Sequence, residues 1–122
     1  MGYPVNSPTE LAAYVGATVI RDLSTTLQTV LIPSGAKWVQ LTYRLLPGAT
    51  GVTNQFAKCL VNASNDSDAT GKLGVDGANI PIFQGDDIAI AADSTSYITR
   101  LDFITEQAVG AEKTAIRVVW GV

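Results

Sequence analysis

The chain has no histidine, one cysteine (Cys59), a methionine only at its first position, and 16% charged residues. The side chains that most enzymes use for proton transfer, nucleophilic attack and metal binding are therefore scarce. Without histidine there is no Ser/His/Asp or Cys/His arrangement, and a zinc site lacks its usual ligands. A lone cysteine cannot close an internal disulfide. Within Phe56-Ala57-Lys58-Cys59-Leu60-Val61 it reads as a small buried thiol in a strand. Positive charge is also short, with eight Lys and Arg against eleven Asp and Glu, a net charge of −3 and a pI near 4.6. Nucleic acid is not expected as a partner, because phosphate neutralisation needs a clustered basic footprint and these basic residues are scattered. Long apolar runs are missing too. Leu11 to Ile20 is too short to cross a bilayer and has no basic segment before it, so neither a membrane span nor a signal peptide is expected. No enzymatic activity, cofactor or metal is expected.

What is present is apolar and turn-rich. The 122 residues suffice for one domain with one core. At 47% hydrophobic residues and a mean hydropathy of +0.23, part of the apolar surplus is expected in subunit contacts.

Residues 1–17 stand apart. Ser7-Pro8-Thr9-Glu10 has the form of a helix start, and Leu11 to Gly16 leaves room for about two turns before glycine intervenes. A short N-terminal helix or an ordered arm is expected, lying across the end of the domain or reaching a neighbouring subunit. From residue 18 to residue 122 the period is two, the mark of strands. Thr18 to Ser24 and Leu27 to Ile32 read as successive antiparallel neighbours, closed by a turn at Pro33-Ser34-Gly35-Ala36. In Trp38 to Leu46, Val39, Leu41, Tyr43 and Leu45 share the core face, opposite Trp38, Gln40, Thr42 and Arg44. Phe56 to Val61 is a further strand, followed by a long polar loop from Asn62 to Asn79. Ile80 to Phe83 and Asp87 to Ala92 flank a tight Gln84-Gly85-Asp86 turn. Tyr97 to Thr105 alternates, and Ala115 to Val122 closes the chain as an apolar strand. About eight strands, with turn signals roughly every 8 to 15 residues, predict an all-β protein: a single antiparallel β-sandwich of jelly-roll type over 18–122.

The remaining polar residues make weak sites. Asp86-Asp87 reads as a solvated turn, because neighbouring side chains in extended backbone diverge. Asp66-Ser67-Asp68 resembles the opening of a calcium loop, but Gly77 stands where the closing glutamate belongs. Asp66, Asp68 and Asp76 would have to converge from a loop to hold calcium. Gly71, Gly74 and Gly77 read as loop glycines, without the strand-then-helix setting of a phosphate cradle. Asn62-Ala63-Ser64 and Asn65-Asp66-Ser67 match the glycosylation pattern by chance. Trp120 shares a face with Ile116, Val118 and Val122 and reads as core or interface. Trp38, on the more polar face of its strand, reads as an interface or partial-core residue, with a sugar-stacking platform as the rival reading.

Three phrases carry a resemblance: Val30-Leu31-Ile32-Pro33-Ser34-Gly35-Ala36-Lys37-Trp38-Val39, Gln84-Gly85-Asp86-Asp87-Ile88-Ala89-Ile90, and Ala115-Ile116-Arg117-Val118-Val119-Trp120-Gly121-Val122. From Thr29 onward the chain resembles small β-sandwich virion proteins of tailed bacteriophages, most of all head decoration (cement) proteins. The resemblance implies a non-enzymatic structural protein, made in the host cytoplasm and carried on the capsid exterior. It would bridge and stabilise capsid subunits, often as a homotrimer, with the major capsid protein as partner. Tyr3, Pro4, Val5, Leu11 and Tyr14 of the arm, together with Trp38, are the expected contact residues. A receptor- or glycan-binding β-sandwich module, or a neck or tail component of a phage, is the alternative.

Overall fold

A computed structural model of the chain describes residues 14–21, 23, 25–45, 56–75, 77–83, 85–105 and 114–122. Among them run β1 (Tyr14–Arg21), β2 (Gln28–Ala36), β3 (Trp38–Leu45), β4 (Phe56–Val61), α1 (Asp66–Leu73), β5 (Ile80–Phe83), β6 (Asp87–Ala91), β7 (Ile98–Thr105) and β8 (Thr114–Gly121). Two four-stranded antiparallel sheets, ordered β1-β8-β3-β6 and β2-β7-β4-β5, form a sandwich. Successive strands alternate between the sheets except at β4 and β5, which is the jelly-roll order.

Alternation explains the core. On β3, Val39, Leu41 and Tyr43 are fully buried, while Gln40 and Arg44 are exposed. They meet Ile116 and Val118 of β8 in their own sheet, and Leu101 and Phe103 of β7, Cys59 of β4 and Ile82 of β5 from the other. Burying a side chain of this size contributes about 1.5–3 kcal/mol. Burial, with a smaller contribution from the Asp102 charge, pushes the Cys59 thiol far above its ordinary range, so it stays protonated and inert. Burial likewise raises the Tyr43 phenol, whose hydroxyl has no hydrogen-bond partner among the described residues.

Several expectations need correction. β1 and β2 are not neighbours: Leu23, 1% exposed, is drawn into the core between them, and the chain crosses from one sheet to the other there. Pro33 to Ala36 does not end β2 as a turn. It is a bulge within β2, where the register with β7 moves from Leu31↔Arg100 to Ala36↔Ile98. Gly35 sits there at φ 73°, and a Cβ on it would lie 2.8 Å from that of Tyr97. Ile98, which a plain alternation puts opposite Leu101 and Phe103, is nevertheless buried in the same core cluster as they are. The tight turn before β6 does form, with the Asp86 N–H donating to the Phe83 carbonyl at 2.9 Å and Gly85 at a positive φ of 86°, and it joins strands of different sheets. The start of the expected N-terminal helix, Ser7 to Glu10, lies outside the described residues, and Tyr14 to Ala17 already belong to β1.

The loop expected over Asn62 to Asn79 contains α1. Asn65 caps it, its side-chain oxygen accepting from the Asp68 N–H at 2.8 Å. Asp66 and Asp68 lie in the first turn and Lys72 in the last, as the helix dipole favours. Asp68 and Lys72 pair at 3.2 Å one turn apart. Ala69 and Leu73, also one turn apart, are buried against Leu60, with Leu27, Ala63 and Ile104 around them. Gly71 is therefore helical and Gly74 is the C-cap.

α1 thus covers the outer face of the β2-β7-β4-β5 sheet, where a charged group is buried. Asp102 is completely inaccessible and accepts from Thr29 Oγ1 at 2.5 Å, Arg100 Nε at 2.7 Å and a terminal Arg100 nitrogen at 3.0 Å. Arg100 reaches on to Asp66 of α1 at 2.7 Å. Helix and sheet are joined by charge as well as by apolar contact.

Asp102→Ala removes the acceptor of three hydrogen bonds, while Arg100, partly exposed, keeps Asp66; it is expected to cost about 1–3 kcal/mol in urea unfolding, and Thr29→Ala about 1 kcal/mol. Equal, small losses would show that the Arg100 pair is not needed. Tyr43→Phe deletes an unbonded hydroxyl, so it is expected to unfold at the same or a higher urea concentration than the wild type; a loss above about 1 kcal/mol would show that the hydroxyl has a partner in solution.

Candidate interaction surface

The outer face of the β1-β8-β3-β6 sheet has no such cover among the described residues. Register places Ala17, Val119, Gln40 and Ala89 in one row across the four strands. Val19, Arg117, Thr42 and Asp87 form the next row, and Gly121, Trp38 and Ala91 a third. Val19 is 50% exposed; Ala17, Gln40, Ala89 and Ala91 are exposed, and Trp38 and Val119 half-buried. Most of these side chains are small and uncharged. Register adds a row of Arg21, Ala115 and Arg44, so the charged positions of the described strands on this face are Arg21, Arg44, Arg117 and Asp87, the last accepting from the Thr42 hydroxyl. A broad, shallow surface of this kind suits contact with another flat protein surface rather than enclosure of a small molecule.

The sheet brings together two of the expected contact residues. Tyr14 and Trp38 pair with Gly121 from opposite sides, so both strands reach the same end of the face there. Tyr3, Pro4, Val5 and Leu11 lie outside the described residues. Trp120, on the inner side of β8, packs against the core, and its ring lies where a Cβ on Gly16 would come within 2.7 Å. Gly16 is therefore needed for that close approach.

The polar residues weighed as sites are engaged in the architecture. Asp66 is bound to Arg100, and Asp68 accepts from the Ser64 N–H at 2.9 Å; Asp76 lies outside the described residues. Among the described residues no group of three potential ligands could hold a metal ion. Asp86 accepts from the Phe83 N–H at 3.0 Å within its turn. Asn62, at φ 57°, donates to the Tyr97 carbonyl at 2.8 Å and accepts from the Thr99 N–H at 2.8 Å, tying the end of β4 to the start of β7. A glycan on its amide would break that tie.

Sequence reasoning passed over the connection that fixes the end of β6. The Asp93 carboxylate accepts from the Thr95 N–H at 3.0 Å, the Thr95 hydroxyl at 3.1 Å and the Ser96 hydroxyl at 2.7 Å. Lys37, at the start of β3, donates to the Asp93 carbonyl at 3.0 Å and to the Ser96 carbonyl, and sits 4.2 Å above the Tyr97 ring. Asp-x-Thr-Ser is a legible turn signal. The lysine that closes the turn, far away in sequence, is not.

No protein-family model and no curated protein matches this chain.

The Ser96 hydroxyl, then the Thr95 N–H and hydroxyl, hold the Asp93 carboxyl down to about 2. Its folded value lies below the ordinary one of about 3.9. The turn's contribution to stability is therefore complete above that ordinary value and is lost as pH falls through about 2. A carboxyl titration by NMR is expected to place Asp93 near 2, with Ser96→Ala raising it. An ordinary midpoint in the wild type would show that the turn does not form in solution.

Proposed function

We propose that this protein is a non-enzymatic structural component of a phage particle, a capsid decoration protein that bridges and stabilises shell subunits. The observation that carries this reading is the outer face of the β1-β8-β3-β6 sheet, which no described residue covers and whose rows through Trp38 and Gln40 are mostly small and uncharged, while the opposite outer face is occupied by α1. A decoration protein works through many repeated contacts of modest area, each stabilising the assembled state by mass action, and needs no reactive group. The three phrases that resemble virion proteins fall on the bulge of β2 running into β3, on the crossing into β6, and on the central strand β8. All three build or border this face. In the proposed arrangement the face and the segment preceding β1 meet the major capsid protein or an adjacent copy on the outside of the shell.

Because β1 begins at Tyr14, the test of the arm is removal of residues 2–13, which spares the strand. The shortened chain is expected to keep its β-sheet circular dichroism and lose binding to undecorated particles. In purified particles the full chain is expected in proportion to the shell subunits. A few copies confined to one vertex, or saturable sugar binding abolished by Trp38→Ala, would replace this reading with a neck, tail or receptor-binding role.

A further inference from the structure

A sandwich exposes edge strands, and natural proteins protect them with proline, bulges or charge because unpaired backbone groups recruit other strands. Three edges here are protected. β5 carries the exposed Pro81, β2 carries Pro33 within its bulge, and β1 has an irregular register between Tyr14 and Gly16. The fourth edge, β6, has neither proline nor bulge. It pairs with β3 without a shift from Thr42↔Asp87 to Trp38↔Ala91, and its only charged side chain is Asp87.

The direction of its backbone groups follows from the ladder. The Ala92 N–H donates to the Lys37 carbonyl, and the Tyr43 N–H donates to the Asp86 carbonyl. Hydrogen-bonded pairs alternate along an antiparallel ladder. Ile88 and Ile90 therefore bond to β3, while the N–H and C=O groups of Asp87, Ala89 and Ala91 point away from the sheet. These groups have no partner among the described residues.

We infer that β6 is a self-pairing edge, through which two copies of this chain join antiparallel about a two-fold axis at Ala89. The inference rests on the ladder alone and stands whether or not the chain decorates a capsid. In this register Ala89 faces Ala89 of the second copy, and Asp87 faces Ala91. Every outward N–H then meets an outward C=O. Ile88 falls beside Ile90 of the second copy on the core side of the joined sheet, and alanines line the open side. The one charge on the strand lies opposite an alanine, not opposite its own copy, so no like-charge contact opposes the pairing. The result is one continuous sheet of eight strands, with the two open faces side by side. A two-fold contact of this kind closes on itself and leaves no free edge at β6.

The full chain is therefore expected to have a native mass that is an even multiple of the monomer, and Ala89→Pro is expected to halve it. The substitution removes an N–H that points away from β3, so the native ladder is retained. Should that variant unfold, Ala91→Glu, which sets a second carboxylate directly opposite Asp87 of the other copy on both sides of the axis, tests the same edge without touching the backbone. Register is read by Ala89→Cys. Hydrogen-bonded antiparallel pairs place Cα atoms about 5.5 Å apart, within disulfide reach. An added oxidant should link two copies of this variant, whereas Val19→Cys, on the opposite edge strand, should remain unlinked. A single copy at the highest soluble concentration, an odd-numbered assembly, or a mass unchanged by both edge substitutions would overturn the inference. Linkage through Val19→Cys in place of Ala89→Cys would overturn it in favour of stacking between open faces.

Discussion

Two sheets that share one core leave two outer faces and four edge strands, and each must meet water, another part of the chain or another molecule. This constraint organises the molecule. The inner faces are settled by alternation, with Val39, Leu41 and Tyr43 of one sheet meeting Leu101 and Phe103 of the other. One outer face is settled by α1, whose Ala69 and Leu73 close over Leu60. Three edges are settled by proline or irregular register. What is left, the outer face of β1-β8-β3-β6 and the free side of β6, forms one continuous region of the surface.

Charge is used sparingly and mostly in construction. Asp102, Arg100 and Asp66 link a strand to the helix above it, Asp68 and Lys72 close that helix, and Lys37 with Asp93 pins the β6–β7 connection. Because these groups are satisfied locally, they offer little to a small ligand. The open face mixes small residues (Ala17, Val19, Ala89, Ala91, Val119) and Trp38 with arginines and Asp87 in the rows beyond, so its rows through Trp38 and Gln40 have little charge to desolvate when another protein approaches.

Much of the fold was legible. The strands at Trp38 to Leu45, Phe56 to Val61 and Thr114 to Gly121 follow from period-two patterning, and the placement of Val39, Leu41 and Tyr43 in the core follows from the same pattern. α1 was hidden because its polar, glycine-containing sequence has the composition of a loop. The signal that could have found it is local: Asn65 followed three residues later by Asp68, with Ala69 and Leu73 at helical spacing. Asp102 was hidden for a different reason. An acidic residue in an alternating strand is naturally assigned to the solvent side, and its burial depends on a helix arriving from elsewhere in the chain to cover that side.

Local chemistry determines that this chain is built of short strands, which side chains face inward, and where glycine must relieve the backbone. These choices depend on φ and ψ, on side-chain direction and on the reach of neighbouring residues. Which strand lies beside which, that β1 and β2 part into different sheets, and that among the described residues one outer face is roofed, the other is bare and β6 ends a sheet unguarded, were decided only when the sheets assembled. Hydrogen bonding between strands is indifferent to side-chain identity, so the pairing is chosen by which arrangement buries Leu23, Phe103 and their neighbours together.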